Sequence, residues 1–334
     1  MDVHKVNGLL ASGRVKVLAA LAATAITSFS SPVVAQTYPT KPITIVVPFP
    51  AGALADTAAR LLQDPLREAL GQPVVIESRP GAGGTTGSAL VARAEPDGYT
   101  LLLTVNGTIT ANPFLQKNFP FDPQKNLASI TMIAETPLAL AVHKDVPAKT
   151  VSEFIAYAKA NAGKVSYGTA GLGSTHHLAG ELMKQKAGFD MSAVHYRGGG
   201  AAATALGAGH IPVGFGTLVT LNAFAQSDAV RIIAITEAKR NPQVPNVPAV
   251  AETLPGVVLA TWVGLSAPAG TPQPVIDALN KAVVAALKQK PIIDKLNAQF
   301  ATVIASTPQE MTNRINDEIK HHRQVIESTG IKAE

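Results

Sequence analysis

Two loops of this sequence combine glycine with small or polar residues at points where a buried-strand pattern gives way to a helix pattern. In the first, the apolar run of residues 43–47 breaks at Pro48, and a helix pattern with Asp56 as its expected N-cap follows. Backbone N–H groups at a helix start have no partner inside the helix, and the helix dipole favours an anion there. We therefore predict an anion-binding loop formed by Phe49, Pro50, Ala51, Gly52 and Ala53, with Asp56 beside it.

The second loop repeats this arrangement further along the chain. A strand pattern that begins at Val165 ends in a glycine-rich turn, and a helix pattern follows. Ser174 has the residue type and the position of a helix N-cap. Because open α/β sheets bind ligands beyond the carboxyl ends of their strands, we expect the two loops to face each other across one site. The second loop contributes Gly173, Ser174, Thr175 and His176.

Ser174 is also a candidate nucleophile, because hydrolases expose a serine on a sharp turn between a strand and a helix. The G-x-S-x-G frame of those enzymes is absent, and the adjacent His176 and His177 project to different sides of a helix. A hydrolase using Ser174 is therefore an alternative rather than the main interpretation. His177 and Glu181 are one helical turn apart but lack a third metal ligand, so we expect a solvated helix face and no metal.

Three further features of the sequence are compatible with ordinary structural roles. Residues 81–87 are rich in glycine, but they lack the lysine of a phosphate-binding loop and the spacing of a dinucleotide fingerprint. We interpret them as a tight turn, and we expect no cofactor. Trp262, the only tryptophan, is expected in the core. Arg197 precedes a glycine turn and could bind a carboxylate through two parallel hydrogen bonds, while an exposed surface position fits equally well.

The composition indicates a globular protein with a sizeable core. The chain has 334 residues, of which 46% are hydrophobic and 15% are charged. The absence of cysteine excludes disulfides, thiolate metal sites and a cysteine nucleophile. The net charge is only +5 and no basic run alternates with aromatic residues, so nucleic acid is not an expected partner.

The first 35 residues have the pattern of a secretory signal peptide. Basic residues precede the apolar run of residues 17–29, and Val33 and Ala35 provide the small residues of a cleavage site. The run is shorter than the ~20 residues that a membrane-spanning helix needs. We therefore expect export with cleavage after Ala35, and a retained signal anchor is the alternative.

Strand and helix patterns alternate through the mature chain, which predicts an α/β fold with mostly parallel sheets. The apolar stretch of residues 127–144 is interrupted at Pro137, and we interpret it as two strands with a crossing between two lobes. A return crossing is expected at residues 230–236. The resulting division gives a discontinuous first lobe, residues 36–136 and 232–334, and a second lobe, residues 137–231.

Short motifs spread over essentially the whole mature chain resemble those of one known family. The motifs are Pro48-Phe-Pro-Ala-Gly52, Arg79-Pro-Gly-Ala-Gly-Gly-Thr85, Pro96-Asp-Gly-Tyr-Thr100, Tyr167-Gly-Thr-Ala-Gly-Leu-Gly-Ser174 with His177-Leu178, Tyr196-Arg-Gly-Gly199, and Trp262-Val-Gly-Leu265 with Ala267-Pro-Ala-Gly-Thr-Pro272. With them the chain resembles the Bug/TctC family, the solute-binding proteins of tripartite tricarboxylate transporters. The resemblance implies a periplasmic binding protein of the two-lobed type II, or Venus-flytrap, fold with a mostly parallel sheet in each lobe and two crossovers.

The resemblance also implies that a small carboxylate is held between the lobes by groups of both loops and passed to the membrane subunits of the transporter. Asn106 and Thr108 occupy a family position that borders the cleft. The chain departs from the family where Ala53 replaces a glycine and where Ala205 and Pro212 replace commonly acidic residues. We expect a monomer without enzymatic activity. A receptor that signals to a membrane partner without transport is a further alternative.

Overall fold

The structure is a computed structural model that describes residues 38–52 and 54–331. The predicted signal peptide and its cleavage site after Ala35 lie outside the described residues. In the described ranges, no helix is both long enough and apolar enough to cross a membrane.

Strands and helices alternate along the described chain. The strands are β1 (Ile43–Val47), β2 (Val74–Ser78), β3 (Thr100–Val105), β4 (Leu127–His143), β5 (Ser166–Thr169), β6 (Ser192–His195), β7 (Val213–Thr217), β8 (Val230–Ile235), β9 (Ala260–Pro268) and β10 (Thr302–Val303). The helices are α1 (Leu54–Leu70), α2 (Thr85–Ala92), α3 (Asn106–Thr110), α4 (Asn112–Leu115), α5 (Pro123–Asn126), α6 (Val151–Ala160), α7 (Thr175–Ala187), α8 (Gly199–Gly207), α9 (Leu218–Ala225), α10 (Gln273–Leu287), α11 (Lys290–Asn297) and α12 (Pro308–Thr329). Short 3₁₀ turns lie at Ala82–Gly84 and Val250–Glu252.

The first group of strands follows the order β2-β1-β3-β9-β4. Strand β1 pairs in parallel with β2 and β3, as expected for strands joined through helices. Strand β9 lies between β3 and β4 and is antiparallel to both, because the chain enters this group from the other group of strands. Strand β1 is buried along almost its whole length, which explains its uninterrupted apolar sequence.

The second group follows the order β4-β7-β5-β6, with β8 also paired to β4. Strand β5 pairs in parallel with β6 and β7, whereas β7 and β8 are antiparallel to β4. Each group thus contains the expected parallel part. The antiparallel pairs involve β4 or β9, the strands that connect or return between the groups.

Strand β4 is one continuous strand rather than the two strands predicted on either side of Pro137. Its residues up to Pro137 pair with β9, and its residues from Leu138 onward pair with β7 and β8. Pro137 therefore lies where the pairing partner changes. The buried Thr236, just after β8, ties this point to the return segment, because its N–H donates to the Leu138 carbonyl (2.8 Å) and its hydroxyl donates to the Leu259 carbonyl.

Each group of strands packs against its own apolar cluster. Trp262 is fully buried, as predicted, in a cluster that includes Met132 and Met311 of the first group. Tyr167 and Phe215 are fully buried in the large cluster of the second group. These clusters hold the strand ends from which the loops of the candidate site extend.

Candidate ligand-binding site

Asp56 holds the first loop in shape. Its almost completely buried carboxylate accepts hydrogen bonds from the Gly52 N–H (3.0 Å) and from Arg60 Nε (3.0 Å). Burial alone would raise the pKa of Asp56, but the hydrogen bonds from Arg60 and from Gly52 hold it below its usual value. Asp56 is the third residue of α1, because the helix begins at Leu54, so the prediction that it is the N-cap is wrong.

Ser174 caps helix α7, as predicted. Its hydroxyl accepts a hydrogen bond from the His177 N–H (3.3 Å) and donates one to the Gly171 carbonyl (2.7 Å). The N–H groups of Thr175 and His176, the first two of the helix, have no acceptor within the part of the chain that the structure describes. These two donors are therefore available to an anion at the helix start.

Both loops border a cavity of about 360 Å³. Four helices of eight or more residues, α1, α7, α8 and α9, begin at its wall, and each adds a partial positive charge. Arg197 is the one charged side chain, and no carboxylate is present, among the described lining residues. The wall is formed by Phe49, Pro50, Ala51, Gly52, Leu54, Ala55, Gly83, Val105, Gly107, Thr108, Ala170, Ser174, Thr175, His176, Arg197, Gly198, Gly199, Gly200, Ala201, Thr217, Thr220, Thr261 and Val263.

Two pairs of threonine hydroxyls add donors to this wall. The Oγ1 atoms of Thr175 and Thr261 are 2.5 Å apart, and those of Thr217 and Thr220 are 2.7 Å apart. A hydrogen bond between two hydroxyls uses one of their two hydrogens, so each pair retains one O–H group that can donate to a ligand. Together with the backbone N–H groups, these hydroxyls make the cavity rich in hydrogen-bond donors.

Most of the predicted site residues lie together at this cavity. Those that line it are Phe49, Pro50, Ala51, Gly52, Thr108, Ser174, Thr175, His176 and Arg197. Asp56, Asn106 and Gly173 are not part of the wall, and Ala53 lies outside the described residues. Gly173 instead supports the second loop, because its N–H donates to Nδ1 of His177 (3.3 Å).

The side chain of Asn106 points into a buried polar cluster behind the cavity. Its amide donates to the Ala260 carbonyl (3.0 Å) and to the Glu318 carboxylate (3.1 Å), to which the Trp262 indole also donates (2.8 Å). Burial raises the pKa of Glu318, against the opposing effect of Arg314. Asn106 therefore positions helix α3, whose next two residues line the cavity.

Several lining residues were missed by the sequence analysis. Thr217 lies at the end of β7 and directly before α9, so the strand-loop-helix pattern used for the other loops could have revealed it. Thr261 lies inside strand β9 and carries no local signal of this kind. Gly83 belongs to the glycine-rich stretch for which the sequence predicts a tight turn, and it both makes that turn, with φ of 62°, and lines the cavity.

The geometry around Ser174 differs from that of a hydrolase. Its hydroxyl hydrogen is donated to a backbone carbonyl, and Nδ1 of His177 accepts from the Gly173 N–H. Burial, with His195 and Lys184 nearby, lowers the pKa of His177 to about 3. Ser174 is thus used as a helix cap, with no imidazole bonded to its hydroxyl among the described residues.

The expectation that His177 and Glu181 lie on a solvated helix face is wrong. Both are buried, and the Glu181 carboxylate accepts a hydrogen bond from the Tyr167 hydroxyl (2.7 Å) and forms an ion pair with Lys184 (3.0 Å). In the described ranges, no group of three or more His, Cys, Asp or Glu side chains is arranged to hold a metal ion.

Comparison with known proteins decides the family. Residues 58–331 match the sequence model of TctC, described as the tripartite tricarboxylate transporter family receptor. The chain belongs to this family. BugT of Bordetella pertussis is 33% identical to it over 305 residues, which cover 91% of this chain and 94% of that protein.

Solved structures resemble this TctC-family chain over most of its length. A protein of R. palustris determined with adipate is 32% identical, with a TM-score of 0.85, and covers 89% of this chain and 100% of its own. MatC from Rhodopseudomonas palustris with bound malate is 33% identical, with a TM-score of 0.82, and covers 86% of this chain and 100% of its own. The likeness to periplasmic binding proteins confirms the predicted two-lobed α/β fold.

Proposed function

We propose that this TctC-family protein captures one small carboxylate in the cavity and delivers it to the membrane subunits of a tripartite tricarboxylate transporter. The observation that carries the proposal is the convergence of four helix starts and Arg197 on a wall without a carboxylate among its described residues. Free N–H groups and helix dipoles stabilise a negative charge, whereas they disfavour a positively charged amine.

Size and relationship support the same ligand class. A volume of about 360 Å³ lies in the lower part of the range usual for small-molecule sites. Two related proteins, each more than 30% identical over nearly the whole mature chain, hold adipate and malate in their structures. A carboxylate of four to six carbons is therefore our first choice of ligand.

We further propose that the cavity closes between a first lobe, residues 36–136 and 232–334, and a second lobe, residues 137–231. Contacts across the cavity support this division. The hydroxyls of Thr175 and Thr261 form a hydrogen bond across it. A Cβ atom added to Gly83 would lie 3.1 Å from the Leu172 carbonyl oxygen, so the two sides approach closely there as well. The hinge then comprises the two crossings, near Pro137 in β4 and near Arg231 in β8.

For the cellular role, we propose a monomer in the periplasm, released by cleavage after Ala35. The charged start, the short apolar run and the small residues of the leader support export, and the relatives are periplasmic transporter proteins. Mass spectrometry of the periplasmic fraction should find a chain that begins at Gln36. An intact Met1 in that fraction would contradict cleavage.

The ligand proposal is tested with purified protein and a panel of small acids that includes adipate, malate and benzoate. Binding should raise the melting temperature, and calorimetry should give one site per chain. Small-angle scattering with saturating acid should show a more compact particle if the lobes close on it. Chemical conversion of the acid, or no response to any member of the panel, would contradict the proposal.

A further inference from the structure

His176 occupies an unusual position in the cavity wall. It is the second residue of α7, and its side chain is only 5% exposed. A Cβ atom added to Gly199, at the start of α8, would lie 2.9 Å from Cε1 of the ring. The imidazole is thus confined between the starts of two helices while it borders the cavity.

The three buried histidines of the described chain differ in how their Nδ1 atoms are satisfied. Nδ1 of His177 accepts from the Gly173 N–H, and Nδ1 of His322 forms a hydrogen bond with the Thr110 hydroxyl (2.8 Å). Nδ1 of His176 is buried and has no hydrogen-bond partner among the described residues. An unpaired polar atom of this kind is uncommon in protein interiors and calls for an explanation.

The missing partner determines which nitrogen of His176 carries the proton. A proton on Nδ1 would create a buried N–H without an acceptor, and such donors are rarer in proteins than unpaired acceptors. The neutral ring therefore keeps its proton on Nε2. Burial lowers the pKa of His176 to about 4, in agreement with a neutral ring, and the positive ends of α7 and α8 oppose a second proton as well.

We propose that His176 is a ligand-contacting residue of this site, in which the neutral imidazole donates a hydrogen bond from Nε2 to a carboxylate oxygen of the bound acid. This inference rests on the proposed function. The contact lies beside the free N–H groups of Thr175 and His176 itself. It adds a donor of fixed direction at a place where a positively charged side chain would be repelled by the helix starts.

Three variants separate this role from a structural one. The side-chain amide nitrogen of His176→Gln reaches about as far from the backbone as Nε2, whereas that of His176→Asn reaches only as far as Nδ1. His176→Phe keeps a ring without any donor. Calorimetry with adipate and with malate should give an affinity near that of the wild type for His176→Gln. For His176→Asn and His176→Phe, loss of a hydrogen bond to a charged group predicts an affinity about 10- to 100-fold weaker.

Nitrogen-15 NMR of the wild-type imidazoles provides a readout that a purely structural role would not move. The spectrum of the free protein should show His176 protonated on Nε2 alone, and addition of the acid should shift the Nε2–H signal. Melting temperatures identify any variant that is simply unfolded, and in that case the NMR result decides.

The possible failures can be told apart. Equal affinity of His176→Phe and the wild type, or an Nε2 signal that does not respond to bound acid, would overturn the role of His176 and leave the proposed function standing. If neither adipate nor malate binds the wild type, while another acid of the panel does, the NMR shift is measured with that acid. If no acid binds, the proposed function and this inference fall together.

Discussion

The hydroxyl pair of Thr175 and Thr261 links the start of α7 to strand β9 across the cavity. Valine substitutions can measure what this pair contributes to the unfolding free energy and to ligand affinity. Both side chains are buried, and no other partner of either hydroxyl is found among the described residues. Removing one hydroxyl leaves the other unpaired, which costs about 1–3 kcal/mol. We expect the low end, about 1 kcal/mol, because the pair borders the cavity and water can reach it.

The double variant Thr175→Val/Thr261→Val should behave differently from the two single variants. With both hydroxyls gone no unpaired group remains, so the unfolding free energy should return close to that of the wild type. The coupling energy of the cycle is then about 2 kcal/mol, within the range of two residues in direct contact. Urea unfolding of all four proteins without ligand measures it.

Ligand affinity should change in the double variant and not in the single variants, which is the opposite of the pattern expected for stability. In each single variant, the remaining hydroxyl no longer has a threonine partner and can donate to the carboxylate, so affinity for adipate stays near that of the wild type. In the double variant that donor is absent, and affinity should fall about 10-fold, the low end for a hydrogen bond to a charged group. Calorimetry on the same four proteins checks this.

Two results would refute this reasoning. Additive losses of stability in the double variant would mean that the two hydroxyls are not coupled as their 2.5 Å separation indicates. Affinity of the double variant equal to that of the wild type would mean that the pair makes no contact with the acid.

Three other predictions follow from single side chains. Arg197→Gln should weaken adipate binding about 5-fold at low salt and less at high salt, because Arg197 is exposed and salt screens its attraction for the acid. Arg197→Lys keeps the charge and should retain most of the affinity. Calorimetry at two salt concentrations tests both expectations. Burial lowers the pKa of His322 to about 3 from 6.5, so between these pH values the unfolded state binds a proton that the folded state does not. The unfolding free energy therefore decreases as pH falls below 6.5, by at most about 1.4 kcal/mol per pH unit. Urea unfolding of His322→Gln should show a pH dependence that is shallower by a similar amount. Gly173→Ala should lower the melting temperature more than Gly52→Ala. Both glycines have positive φ, which costs about 1 kcal/mol with a side chain, but only at Gly173 would the new Cβ overlap another atom, Oδ1 of Asn112 at 2.0 Å. Equal effects of the two substitutions on the melting temperature would contradict this contact.

Helix starts were the most predictable part of the site, because their signals are local. The N-cap of Ser174 depends on residues within one turn, and the structure confirms it, whereas α1 begins two residues before the predicted N-cap Asp56. Local signals failed where tertiary pairing decides the outcome. The sequence pattern predicts two strands separated at Pro137, but one strand continues through this residue, where its pairing changes from β9 to β7 and β8.

Asn106 shows a different limit to predicting the site from the sequence. The resemblance placed the correct segment at the cavity, since Gly107 and Thr108 line it, but the side chain of Asn106 turns toward Glu318, which is 212 residues away in the sequence. Successive residues of a helix point about 100° apart, so being next to a lining residue does not make a side chain part of the wall. Long-range contacts with β9 and α12 determine which way Asn106 points.

The same geometry explains why the ligand class was more predictable than the contacting side chains. The first N–H groups of a helix all point along its axis, away from the helix and beyond its start, whichever side chains the first turn carries. Once a strand-loop-helix pattern places several helix starts at one edge of a sheet, an anion site follows from the backbone alone. We expect side chains such as His176 and Thr261, which line the cavity, to decide which anion fits, and their directions depend on packing between distant parts of the chain. Substitutions in these side chains should therefore change which acid is preferred, while the preference for an acid persists. A variant of His176 or Thr261 that binds an uncharged amide as tightly as the matching carboxylate would contradict this division of roles between backbone and side chains.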